Sequence, residues 1–242
     1  MILIQQRYSS PDPHREAELQ RVREANSVAG LFSHVEFVDP GGKRMAFGDF
    51  FRLAAERFSG RTCVVANSDI TFDESLRVAA EVLASSSTPL LVALTRWDDD
   101  VAPSMEGRID PDNWTFYSHS QDAWVFVAGG LPPFESGFHL GLPACESRLA
   151  FEAAAAGIAV VNPALSIRCH HHHASAVRTW TRRDSYPGPL LFPRLTTADV
   201  GDREALVVDR TGWRTRKAVI RQVGDFAAAV LGRKTGSRSG KN

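Results

Sequence analysis

The sequence predicts an α/β fold, a sheet of short buried strands flanked by helices. Apolar, β-branched runs at 2–6, 35–38, 62–66 and 89–94 alternate with segments of helical spacing at 11–29 and 47–58, the order that β-α-β units require. The runs at 62–66 and 89–94 are continuously apolar rather than alternating, which suits strands covered on both faces. At 242 residues the chain can bury a substantial core, and no repeat or low-complexity linker divides it, so one domain is expected.

The elements follow in order. Residues 2–6 read as the first strand, 11–29 as a helix and 35–38 as the strand that completes a β-α-β unit. In 47–58, Phe47, Phe50, Phe51, Leu53 and Ala54 form a broad apolar helix face. The strand at 62–66 runs directly into Asn67-Ser68-Asp69; ligands of an open parallel sheet bind just beyond the carboxyl ends of its strands, so that position carries weight. Asp73 can cap a helix running to residue 83, and 89–94 is a strand ending in Thr95-Arg96-Trp97-Asp98. Pro103, Gly107, Pro111 and Asn113 punctuate 101–120 as loop, 123–127 reads as a strand, and 129–143 as a loop able to wall a pocket. The alanine-rich 144–156 is a helix with Gly157 at its stop. Beyond it, 158–162 and 165–169 are expected as paired short strands around Pro163, 217–231 as a closing helix, and 232–242 as a disordered basic tail.

Lys plus Arg number 28 and Asp plus Glu number 28, so no overall charge favours nucleic acid or an acidic membrane. No apolar run approaches the roughly 20 residues of a membrane span, and residues 1–7 enter a strand without a signal-peptide pattern. The expectation is a soluble, cytoplasmic protein. Cys63, Cys145 and Cys169 are odd in number and lack metal-ligand spacing, and read as reduced buried thiols.

Several segments can carry chemistry. Asn67-Ser68-Asp69 serves either as a turn and helix cap or as a carboxylate holding a hard divalent cation, with diphosphate oxygens and water in the remaining positions. His170 to His173 form an internal cluster, unlike a terminal tag; on a continued strand His171 and His173 share one face and His170 and His172 the other. That cluster is either packed aromatic surface or a source of neutral imidazole ligands. Glu146 lies in the first turn of the alanine-rich helix, where the helix dipole favours an ionised carboxylate, whether as plain helix-start electrostatics or as a general base. Arg148 either pairs with an acid or reaches a phosphate. Ser120-Gln121-Asp122 can bond sugar hydroxyls, and Arg96-Trp97-Asp98 offers a cation, an aromatic platform and an acid, unless both are loops anchored by a buried tryptophan.

Taken in order, these segments resemble the GT-A nucleotide-sugar glycosyltransferases, especially family-2-like enzymes and a branch of small relatives. Asn67-Ser68-Asp69-Ile70 looks like the Asp motif, Cys145-Glu146 followed by Arg148 like the acid-helix motif, and Asn162-Pro163 through His171 to Ser175 like the histidine segment. Gln121-Asp122-Ala123-Trp124 and Thr95-Arg96-Trp97-Asp98 are similar to segments of the small relatives. The likeness covers roughly residues 1–180. It departs from the family where Asp-any-Asp is thinned to one carboxylate, and where glutamate stands at the base position in place of aspartate. The resemblance implies a single GT-A domain with a mixed sheet over 1–231, a nucleotide-binding half at about 1–100 and an acceptor half at about 101–231. It also implies transfer of a sugar from a nucleoside diphosphate, UDP first, to a hydroxyl of a glycan, small molecule or modified DNA base, with inversion and with Mn2+ or Mg2+. By the same resemblance Asp69 and His171 bind the metal with His173 beside them, Glu146 and Asp122 are the catalytic carboxylates, and Gln5, Arg7, Asn67, Ser68, Arg96, Asp98, Arg148 and Arg178 contact the donor. Rival readings are a non-catalytic nucleotide- or sugar-binding relative, a metal-dependent phosphoester hydrolase, and a glycosyltransferase acting on modified phage DNA.

Overall fold

The computed structural model describes residues 1–98, 103, 117–174, 177–198, 204–209 and 216–220. Along the chain run β1 (Ile2–Gln6), α1 (Pro13–Val28), β2 (His34–Val38), α2 (Phe47–Phe58), β3 (Thr62–Ala66), β4 (Ile70–Phe72), α3 (Arg77–Ser85), β5 (Leu90–Leu94), β6 (Ala123–Val127), α4 (Cys145–Ala155), β7 (Ala159–Val161), β8 (Cys169–His171), β9 (Leu190–Pro193), β10 (Ala205–Asp209) and β11 (Arg216–Ile220). The main sheet has six strands in the order β2-β1-β3-β6-β5-β7. All neighbours are parallel except β6, which runs against both β3 and β5. The α/β class and the mixed sheet flanked by helices are as the sequence predicts.

Side chains alternate between the two faces of this sheet, as the pleat requires. On one face Cys63, Val65, Trp124 and Phe126 meet Phe47, Phe50 and Ala54 of α2 and the buried side of α4. Phe47 packs edge-on to Trp124 at 5.8 Å, and Phe51 edge-on to Phe126 at 4.9 Å. On the other face Val64, Ala66, Val92 and Val125 meet Leu76, Ala79, Val82 and Leu83 of α3 and the turn before it. Strands buried on both faces are why 62–66 and 90–94 read as unbroken apolar runs.

The reversal of β6 matters most for function. Its first residue, Ala123, pairs with the last residues of β3 and β5, Ala66 and Leu94. The segment leading into β6 therefore lies at the same sheet end as the segments leaving β1, β3 and β5. The Asn67 amide bonds the Asp122 carbonyl at 3.0 Å, and the Asp122 amide bonds the Leu94 carbonyl at 2.9 Å. Loops of opposite chain direction are thereby stitched into one edge.

The structure corrects two element predictions. Residues 158–162 and 165–169 do not pair: β7 adds to β5 in the main sheet, while β8, at Cys169–His171, pairs antiparallel with β4 as a separate two-stranded sheet. After Pro163 the chain turns instead, with the Ser166 and Ile167 amides both bonded to the Pro163 carbonyl. The helix expected at 217–231 begins as a strand, because residues 216–220 form β11 against β10 and, with β9, a three-stranded sheet. Residues 221–231, most of the 101–120 loop and the 232–242 tail lie outside the described residues. Cys63, Cys145 and Cys169 are free and buried. No helix among the described residues is long and apolar enough to cross a membrane.

Candidate metal and substrate site

The shared sheet end opens onto a cleft of about 1770 Å³ lined by residues that follow β1, β2, β3 and β5, precede β6, begin α4 and follow β8. Asp69, in the turn between β3 and β4, meets His171 and His173 there; one ligand atom from each lies within 4.8 Å of the others. Local pairing explains the meeting of residues a hundred positions apart. Ile70 is in register with His171 across the β4–β8 ladder, and the His172 amide bonds the Asp69 carbonyl at 2.9 Å. β8 ends at His171, so His173 lies beyond the strand whose alternation the sequence reading assumed; both rings nevertheless face Asp69.

The outer partners of the two imidazoles orient them. His171 Nδ1 lies 3.1 Å from Asp98 Oδ1, and its Nε2 faces Asp69 Oδ2 at 3.6 Å. His173 Nε2 lies 3.2 Å from the Val177 carbonyl, which can only accept, so that nitrogen carries a proton, and Nδ1 faces Asp69 at 3.5 Å. An imidazole tied through one nitrogen to a carboxylate or carbonyl, with the other facing a shared centre, is the arrangement of a metal ligand with its supporting partner. Burial works to raise the Asp69 pKa, but hydrogen bonds from His171 and His173 and the charge of Arg15 hold it well below the usual carboxylate range. Burial works against a charged His171, yet Asp69 raises its pKa above the ordinary value. Two imidazoles and one ionised carboxylate fit a divalent cation, and the nitrogen donors suit a transition ion such as Mn2+ better than Mg2+.

A second acid centre shares the cleft. Ala144 adopts a left-handed φ of 66° at the turn into α4, and Glu146 lies in the first turn beyond it. The sequence leads one to expect a carboxylate held ionised by the helix dipole. Instead, burial first and the Asp122 charge second push the Glu146 pKa up to about 7, because the dipole is worth less than the loss of water around a partly buried acid beside a like charge. Asp122 itself is committed. Its Oδ1 accepts from Asn67 Nδ2 at 2.7 Å, its Oδ2 accepts from the Ser120 hydroxyl, and Arg96 stands 3.7 Å away. Asp122 is therefore better placed to tune Glu146 than to take a proton.

Of the other predicted residues, Arg7, Asn67, Ser68, Arg96, Asp98 and Arg178 line the cleft. Asp98 orients His171 and pairs with Arg96 at 2.8 Å, and the Ser68 hydroxyl is bonded to the Gln6 carbonyl at 2.8 Å. Arg178 lies 5.2 Å from the Trp180 ring. Gln5 and Arg148 do not line the cleft. The Gln5 amide donates to the carbonyls of Asn67 and Ile70, where it braces the β3–β4 turn. Arg148 is spent on Glu152, the Pro189 carbonyl and the rings of Phe138 and Phe151. Trp97 is no platform either: it is buried, and its indole N–H donates to the Ala164 carbonyl at 3.0 Å.

Arg15, Glu18 and Arg44 also line the cleft and are not in the sequence-predicted set. Arg15 and Glu18 of α1 pair with each other, and Arg15 also pairs with Asp69. Arg44 reaches across to the Leu140 carbonyl and to Thr179, tying the β2–α2 loop to the segment after the histidines. A signal for the first two existed. Arg15, Glu18, Leu19, Val22 and Asn26 make the buried stripe of α1, so two charges occupy positions where helical periodicity calls for apolar residues. Arg44 has no comparable signature in its loop. No protein-family model matches this chain, and no curated protein matches it.

Proposed function

We propose that this chain is a glycosyltransferase that moves a sugar from a nucleoside-diphosphate donor to a hydroxyl acceptor. One observation carries the reading: a divalent-metal ligand set and a carboxyl group with a pKa near neutrality share one cleft at the carboxyl ends of a mixed α/β sheet. A diphosphate leaving group needs its charge met, and a hydroxyl nucleophile needs its proton taken. The cleft offers both.

In this reading Glu146 accepts the acceptor's proton as the new bond from acceptor oxygen to anomeric carbon forms and the bond from that carbon to the diphosphate breaks. A single displacement of this kind inverts the anomeric configuration. Arg7 and Arg178 line the cleft without an ion pair among the described residues and are available to the departing phosphates. Asp69, His171 and His173 would hold the metal, which when bound supplies Lewis-acid stabilisation to the diphosphate. Asn67 and Ser120 fix Asp122, and Asp122 in turn keeps the Glu146 pKa high enough for a base working near neutral pH.

Incubation with UDP-, GDP- and dTDP-sugars in the presence of Mn2+ and mixed hydroxyl acceptors tests the proposal, with nucleoside diphosphate release and acceptor mass read together. The expected result is release from one donor class with a matching gain of one sugar on an acceptor. Release with no acceptor gaining mass would assign a hydrolase instead, and donor binding without turnover would assign a binding protein.

A further inference from the structure

Helix α1 spends one buried turn on two charges. Arg15 is 6 % exposed and Glu18 is 9 % exposed, and burying an ion pair stabilises a fold only when geometry and additional hydrogen bonds recover the lost hydration. The additional bonds here have a pattern. Arg15 Nη2 pairs with Asp69, while Nη1 donates both to Glu18 Oε2 and to the His172 carbonyl, each at 2.9 Å. The other Glu18 oxygen accepts the Ala174 amide at 3.1 Å. The pair thus grips the peptide groups on both sides of His173 and, through the same guanidinium, the Asp69 carboxylate. Two further backbone bonds hold the strap: the Trp97 and Asp69 carbonyls take the amides of His171 and His172 at 3.0 and 2.9 Å. The charges also balance: Arg15 and Glu18 cancel, which leaves the carboxylate charge of Asp69 for a cation.

We propose that Arg15 and Glu18 are the positioning pair of the metal site, holding Asp69 and His173 in place so that an ion does not have to order the 171–174 strap when it binds. Neither residue is a ligand; each acts through groups it fixes, as supporting partners do around metal centres. The inference rests on the metal reading given under Proposed function. Its rival is opposite in sign: a guanidinium on Asp69 that merely competes with the ion, so that its removal tightens binding.

The test measures Mn2+ affinity without nucleotide, by the electron paramagnetic resonance signal of free Mn2+, together with hydrogen exchange of the 169–174 segment. The proteins are wild type, Glu18→Gln, the double variant Arg15→Met/Glu18→Leu and, as a reference for a lost site, His171→Ala/His173→Ala. The Met/Leu variant removes Arg15 and Glu18 together, so neither is left buried without the other, and Asp69, which loses Arg15, keeps His171 and His173 beside it. Both clamp variants are expected to bind Mn2+ about 10- to 100-fold more weakly than wild type and to exchange the Ala174 amide faster, with the double variant melting no lower than wild type. Weaker metal binding in a protein that has lost no stability separates positioning from a general structural role. Wild-type or tighter affinity in the double variant would overturn the proposal while leaving the metal reading intact. A wild-type protein that binds Mn2+ no better than the histidine double variant would overturn the metal reading and the positioning role with it.

Discussion

Glu146 is the residue whose environment says most about its task. An acid whose pKa stands at about 7 is half-ionised at neutral pH and strong enough, once ionised, to take a proton from a polarised hydroxyl. Glu146→Gln should lower the turnover rate by about 10²- to 10⁴-fold while leaving Mn2+ affinity unchanged, as read from initial rates and metal titration on the same preparation. In the wild type the rate should rise as pH passes through about 7, because only the ionised form is a base. Stability should move the other way. Between the ordinary glutamate range and about 7 the folded chain retains a proton that the unfolded chain has released, so stability is lost as pH rises through that window. Glu146→Gln abolishes that loss: the variant should melt above wild type at pH 8, with the gap closing toward pH 4.

At the scale of elements, the small β4–β8 ladder and helix α1 assemble the Asp69, His171 and His173 cluster, and the main sheet only brings these residues near. The ladder sets His171 beside Ile70, and α1 locks the strap that follows. Helix α1 owes its start to Asp12, whose side chain accepts the Arg15 amide at 2.8 Å, with Pro13 preset in the first turn. Asp12→Ala should destabilise the fold by about 1 kcal/mol, measured as a shift of the urea midpoint at constant slope. Capping at Asp12 therefore reaches the site, since the first turn of the helix also presents Arg15.

At the scale of the whole molecule, the cleft is made by the reversed strand. With β6 parallel, Asp122 would lie at the far end of the sheet; antiparallel, it is joined to Asn67 and Leu94 by backbone bonds. From that place it acts on both Glu146 and His171, coupling the acid centre to the ligand set. A metal seated there ties β3, β5, β8 and α1 together and should stabilise the whole fold by mass action, by about 2.7 kcal/mol at a hundredfold excess over Kd. The expected observation is a rise in melting temperature with Mn2+ that disappears in His171→Ala/His173→Ala. The rise should also shrink as pH falls through the His171 pKa, which Asp69 raises above the ordinary histidine value, because the ring must lose its proton to become a ligand.

Much of this was legible in the residues themselves. Strands β3, β5 and β6 announce themselves because a segment covered on both faces is apolar almost throughout, and α4 because its alanine run stops at Gly157. Asp69, His171, His173 and Glu146 stand out as chemical types at element ends. Chemical type alone does not say which groups meet. The three-residue β4 is too short to show any periodicity, and its pairing with β8 is a long-range event that no local window contains. The burial that raises Glu146, the spending of Gln5 and Arg148 on backbone and core, and the grip of Arg15 and Glu18 on the histidine strap all arise from neighbours distant in the chain. Local pattern determined which elements form and which residues can do chemistry; only tertiary packing decided who faces whom, because hydration loss and charge proximity are properties of the assembled cleft.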